Sequence, residues 1–207
     1  CIRDSPYTAQ FKNINAQHEM SYDDSRNEGT GKMNDELRSV HQSCPATKFI
    51  LSGFSQGAVI AGDVADEIGG GQGVVPAESI AGVALIADGR RQNGVGQNPG
   101  RKVGGVGAEI ALQPVSGLVQ PIVPGASMRG ARQNGFGSLA DRTFQICAPN
   151  DSVCDAPPNV TNALERAQGL IAANGVHAQY ASNSGVIDGT TANQWVVGWA
   201  RQLIDAA

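Results

Sequence analysis

The stretch "FILSGFSQGAVIAGDVADEIG", Phe49 to Gly69, constrains the fold more than any other part of the chain. It opens with a short apolar run, Phe49–Leu51, that reads as a buried strand. From Gln56 onward Val59, Ile60, Val64 and Ile68 recur at helical spacing. Between the two lies Ser55, in a G-x-S-x-G pattern with Gly53 and Gly57. That pattern is weak evidence in a glycine-rich chain, and its place at a strand-to-helix junction is what gives it weight. A sharp turn there lifts the serine hydroxyl clear of the sheet, and the glycines leave room for backbones to approach. The helix N-terminus also brings the Gln56 N–H beside any oxyanion that develops. Ser55 therefore reads as a nucleophile or as a small residue in a tight turn, and the flanking elements favour the nucleophile.

The other elements follow from the same kind of pattern. Met33, Leu37 and Val40 predict a helix over 25–40 running toward Cys44, with Pro45 ending it. The helix after Ser55 stops at "GGGQG", and "IAGVALIA" (80–87) reads as a second buried strand. "RTFQICA" (142–148) is a third, followed by a helix from about Thr161 to Asn174 with Gly175 beyond its end. "VHAQYA" reads as a short strand or the end of one, and Trp195, Trp199 and Leu203 mark an amphipathic helix near 192–206. Strands alternating with helices imply an α/β sandwich around a mostly parallel sheet. The 207 residues suit a single domain, 1–207. The Gly-, Gln- and Pro-rich stretch 89–137 is too long for an ordinary connection and is expected to be a binding loop or lid. Its apolar residues Val115, Leu118, Val119, Ile122 and Val123 would line an acyl groove or simply cover the core.

A serine nucleophile needs a general base and an acid that orients it. The chain has three histidines, His18, His41 and His177. The order serine, acid, histidine expected for an elbow on such a sheet leaves His177. Asp151 and Asp155 follow the third strand, and Asp88 follows an earlier one. Asp151 is the better placed, because it lies between Cys147 and Cys154, where a short disulfide would steady it.

The four cysteines, Cys1, Cys44, Cys147 and Cys154, form no CxxC pair and have no histidines at zinc spacing, so no metal site is expected. Their even number, in a chain that begins at Cys1 rather than Met, implies two disulfides, an oxidising compartment and a trimmed product. Cys147–Cys154 with Cys1–Cys44 is the most economical of three pairings. No apolar run approaches the roughly 20 residues that cross a bilayer. A net charge of −4 argues against nucleic-acid binding. Arg90, Arg91, Arg101, Lys102, Arg129, Arg132 and Arg142 nevertheless form a local basic excess, expected either as a solvated loop surface or as an attractor of anionic lipid headgroups.

At these residues the chain resembles the cutinase family of small secreted serine esterases. The resemblance rests on "CPATKFILSGFSQGAVIAG", "DRTFQICAPNDSVCD" and "VHAQY", in that order, and extends over nearly the whole chain from Tyr7. "YTAQFKNINAQHEMSYDDSRNEGT" and "LIADGRRQNGVGQ" resemble the cell-envelope lipase branch found in mycolic-acid bacteria. The resemblance implies an α/β-hydrolase core without a large cap domain, no cofactor, and a secreted or envelope location as a monomer. It implies Ser55 as nucleophile, Asp151 as acid, His177 as base and the Gln56 N–H as oxyanion donor. It further implies phospholipase A and thioesterase activity on long acyl chains, contact with envelope lipid, and sensitivity to β-lactones. A short-chain or polyester esterase and a non-catalytic lipid-binding module are the alternatives. One departure stands out. Family members carry a buried strand and a second oxyanion donor just after the first cysteine, whereas here Cys1 is followed by "IRDSPYTAQF", which has no such strand.

Overall fold

The computed structural model describes residues 3–171 and 175–206. Its centre is a parallel sheet of three strands, β1 (Phe49–Phe54), β2 (Ile80–Ile86) and β3 (Thr143–Ile146), in that spatial order. Leu51 stands opposite Val83, and Ile86 opposite Ile146. Strand β2 is buried along nearly its whole length, as its unbroken apolar run requires of a strand covered on both faces.

One face carries α1 (Tyr22–Ser43) and α2 (Gln56–Gly69). Ala58, Ala61, Val64, Ala65 and Ile68 of α2 pack with Leu51, Val83 and Leu85 in one continuous core that takes in Leu37 of α1. The other face carries α6 (Ala192–Asp205), whose Trp195 and Trp199 stack on each other and meet the ring of Phe144. Gly82 makes that approach possible: a Cβ there would stand 2.5 Å from the Trp199 ring. The result is the expected three-layer α/β arrangement.

The caps explain where the helices begin. In α1 the Ser21 hydroxyl accepts the Asp24 N–H at 3.1 Å, so the helix starts three residues before the predicted Ser25. In α6, Thr191 and Gln194 form a reciprocal capping box. No helix of the described residues is long and apolar enough to cross a membrane.

Several expectations are corrected. "VHAQY" is not a strand. Residues 177–179 form a 3₁₀ turn, in which the Gln179 N–H closes back on the Val176 carbonyl instead of pairing with a strand. The stretch 89–137, expected as a binding loop or lid, has short helices and contributes to a small core. It holds α3 (Ala108–Leu112) and α4 (Ser116–Val119), and Leu112, Val119, Ile122, Val123 and Met128 build a small core with Ala163 and Ala167 of α5 (Ala163–Ile171). The predicted run of α5 toward Asn174 falls on residues outside those described.

Much of the basic excess is not a solvated surface, although Arg101 and Lys102 are exposed. Arg90, Arg129 and Arg132 converge on Asp63 of α2 at 2.8, 2.6 and 2.9 Å. Arg132 also holds Asp88 at 2.5 Å, and Arg129 holds Glu109 at 3.0 Å. Buried Arg91 donates to the Cys154 and Gly105 carbonyls. Four of the seven cations are thus internal struts tying the excursion to α2 and to the Cys147–Cys154 loop.

Candidate active site

Ser55 occupies the turn between β1 and α2 with φ 55° and ψ −120°, a left-handed conformation that a non-glycine residue adopts only where its surroundings enforce it. Its N–H donates to the Ile86 carbonyl at 2.9 Å, and its carbonyl accepts the first helical N–H groups, those of Ala58 and Val59. Gly53 is what lets the turn close: a Cβ there would lie 2.1 Å from the Gly57 carbonyl oxygen. Gly57, equally suggestive in sequence, faces open space.

The Ser55 Oγ lies 2.9 Å from Nε2 of His177. On the other side of the imidazole, Nδ1 lies 3.0 and 3.1 Å from the two carboxylate oxygens of Asp151. An ionised carboxylate only accepts, so Nδ1 carries the proton and Nε2 faces the serine hydroxyl as an acceptor. Three side chains from distant parts of the sequence are therefore joined in one hydrogen-bonded line.

Asp151 has no solvent exposure. That burial would raise its carboxyl, but hydrogen bonds from His177, the Val153 N–H and Tyr180 outweigh it and hold the group below its usual value. The alternatives point elsewhere. Asp155 accepts the Gly105 and Asn150 N–H groups, and Asp88 is taken by Arg132.

Phe54, 45 % exposed, stacks on the His177 ring with centroids 4.9 Å apart and limits its rotation. The Gln56 N–H opens α2, where the leading N–H groups have no intrahelical partner. The Gln56 side chain is fixed from both ends, accepting from the Ser25 hydroxyl at 3.0 Å and donating to the Tyr22 carbonyl at 3.2 Å. Ser25 in turn accepts the Gln10 N–H, which binds the irregular N-terminal segment to the elbow.

A cavity of about 420 Å³ opens beside Ser55 and His177. Its walls are largely apolar: Tyr7, Phe11, Tyr22, Phe54, Val59, Met128, Val153 and Leu170, with Glu109 on one side. The groove residues expected from sequence, Val115, Leu118, Val119, Ile122 and Val123, do not line it, because most of them face the small core under α5 and Leu118 points to solvent. The actual walls come from the elbow, from Met128 and the disulfide loop, and from the N-terminal segment, α1 and α5, the last three carrying no local signal of a cavity. Glu109 accepts a hydrogen bond from the Tyr22 hydroxyl at 2.8 Å and another from the Arg129 guanidinium.

The Cys147–Cys154 bridge is formed, with Cα atoms 5.9 Å apart. Cys44 is an exposed free thiol, so the second expected bridge has no counterpart among the described residues, and Cys1 lies outside them. Among the described residues no three His, Cys, Asp or Glu side chains gather as a metal centre would require.

Parallel sheet, strand–serine–helix turn and a serine–histidine–aspartate line together define an α/β protein of the hydrolase-fold class. The chain belongs to the cutinase family, whose model matches residues 2–198. It is 68 % identical over 200 residues to a protein of Corynebacterium glutamicum named as a carboxylesterase Culp6 homolog, covering 97 % of this chain. It is 28 % identical over 137 residues, 65 % of this chain, to a probable carboxylesterase Culp7 of Mycobacterium tuberculosis. The chain spans 65 % and 62 % of the lengths of these two relatives. Among solved structures, an acetyl xylan esterase superposes with a TM-score of 0.56 at 19 % identity, over 96 % of this chain and 80 % of that one. A cutinase-like protein from Cryptococcus sp. superposes at 0.50 and 24 % identity, over 78 % and 65 % of the two chains. Both share the fold.

Proposed function

We propose that this chain is the catalytic part of a serine carboxylester hydrolase that acts through an acyl-enzyme. The observation that carries the reading is His177 bridging Ser55 and Asp151, at 2.9 and 3.0 Å, at the mouth of an apolar cavity. His177 takes the Ser55 proton as Oγ attacks the acyl carbonyl, and Asp151 stabilises the imidazolium. The tetrahedral oxyanion rests on the Gln56 N–H. His177 then returns the proton to the leaving alcohol or thiol, and water repeats the sequence to free the acid. The names of the relatives, carboxylesterases both, support the same class of reaction.

The substrate we propose is a long acyl ester or thioester of envelope lipid, cleaved outside the cytoplasm. Support comes from the apolar cavity, which is in the size range of ligand sites, and from the disulfide, which persists in oxidising compartments.

Incubation with a fluorophosphonate or β-lactone followed by intact mass should give one adduct, mapped by peptide mass to Ser55 and absent in Ser55→Ala. An unmodified wild-type protein would overturn the mechanism. A short-chain or polyester esterase is separated by rates on p-nitrophenyl esters of increasing length, which should rise toward long chains.

A further inference from the structure

A carboxylate with no solvent exposure needs donors on its oxygens, and those donors decide how it is turned. Around Asp151 the Val153 N–H reaches Oδ1 at 2.9 Å, and the Tyr180 hydroxyl reaches Oδ2 at 2.7 Å. His177 Nδ1 is nearly equidistant from both oxygens, so the imidazole does not select an orientation by itself. Val153 belongs to the same short loop as the acid and moves with it. Tyr180, like His177, comes from beyond α5, and its bond to one oxygen alone ties the carboxylate in a defined orientation to a part of the chain outside the acid's own loop.

The tyrosine is itself held. It is 3 % exposed, and its oxygen accepts the Ala148 N–H at 2.8 Å, just past the end of β3. The disulfide sulfur of Cys154 lies 3.3 Å from the same oxygen, but it carries no proton and is a weak acceptor. The phenolic hydrogen therefore turns to the carboxylate, where a charge-assisted bond is stronger. Its ring also meets Phe54 edge-on at 5.7 Å, behind the imidazole.

We infer that Tyr180 is a positioning residue for the proposed reaction: anchored by the Ala148 N–H, its hydroxyl holds the buried Asp151 carboxylate in the orientation that His177 uses. The inference rests on the serine–histidine–aspartate reading. By donating to Oδ2, Tyr180 also lowers the basicity of the carboxylate, so the Nδ1 proton stays on the imidazole while Nε2 receives the Ser55 proton. The proton on Nε2 is then available to the leaving group.

The test is a double-mutant cycle read by the rate of fluorophosphonate labelling of Ser55, referred to the folded fraction in each sample by near-ultraviolet circular dichroism. Asp151→Asn should slow labelling by about 10⁴-fold. Tyr180→Phe should slow it by about tenfold or more in the wild-type background, and less than twofold in the Asp151→Asn background. With p-nitrophenyl butyrate the Tyr180→Phe loss should fall on kcat with KM unchanged. If Tyr180→Phe does not fold, Tyr180→Met takes its place, since a flexible thioether fills the space without a donor. Equal labelling of wild type and the Tyr180 variant would overturn the inference, as would the same factor lost in both backgrounds. An Asp151→Asn variant as fast as wild type would instead overturn the triad reading beneath it.

Discussion

At the scale of single residues, the site depends on a backbone conformation that Ser55 would not choose alone. Its positive φ is enforced by the Ile86 carbonyl and by the start of α2, and the close passage of Gly57 past Gly53 allows the turn to exist. The two glycines of the pattern therefore differ in kind. Gly53→Ala drives a methyl into a carbonyl oxygen and is expected to destabilise by roughly 1–3 kcal/mol while lowering the labelling rate at Ser55. Gly57→Ala meets nothing and is expected to change stability by less than about 1 kcal/mol, toward greater stability. Thermal unfolding of the two variants checks the contrast. Local sequence showed both glycines with equal prominence, because spacing records that a tight turn is present and not which of its atoms collide.

At the scale of elements, charge fastens the excursion to the elbow helix. Asp63 sits on α2 and receives three guanidinium groups from 90–132. Burial opposes its ionisation, but Arg132, Arg129 and Arg90 outweigh that and hold its carboxyl below the ordinary range. A depressed folded value means the stabilisation is complete above the unfolded value of about 3.9 and is lost as pH falls through the lower folded one. Asp63→Asn leaves buried cations without their partner and is expected to cost about 3–5 kcal/mol near neutral pH. Thermal unfolding across pH should show the gap between wild type and variant closing as pH drops below about 4. These arginines looked like a surface patch in sequence because their partners, Asp63, Asp88 and Glu109, lie outside the basic stretch or appear there as isolated acids. Only the packing of α2 against 89–137 shows that the charges meet inside.

At the scale of the whole molecule, the cavity is assembled from segments that share no local pattern: the irregular residues 7–11, α1, the elbow, Met128 of the excursion, the disulfide loop and α5. Filling it from the α5 side should alter chain-length preference without touching the hydrogen-bonded line. Leu170→Trp is expected to cut rates on long p-nitrophenyl esters by about tenfold or more while leaving the butyrate rate within about twofold. A uniform loss across the series would place the acyl chain elsewhere. The strand–serine–helix turn, the order of the sheet strands along the chain, the amphipathic helices and the short disulfide were all legible in the sequence. Each is dictated by residues a few positions apart, through side-chain period, glycine placement or a small loop. The turning of "VHAQY" into a 3₁₀ turn, the burial of the arginines and the walls of the cavity were decided by tertiary structure alone. Those features depend on which distant surfaces meet, and the free energy that selects among such meetings comes from burying area and pairing charge across the whole fold, which no window of sequence contains.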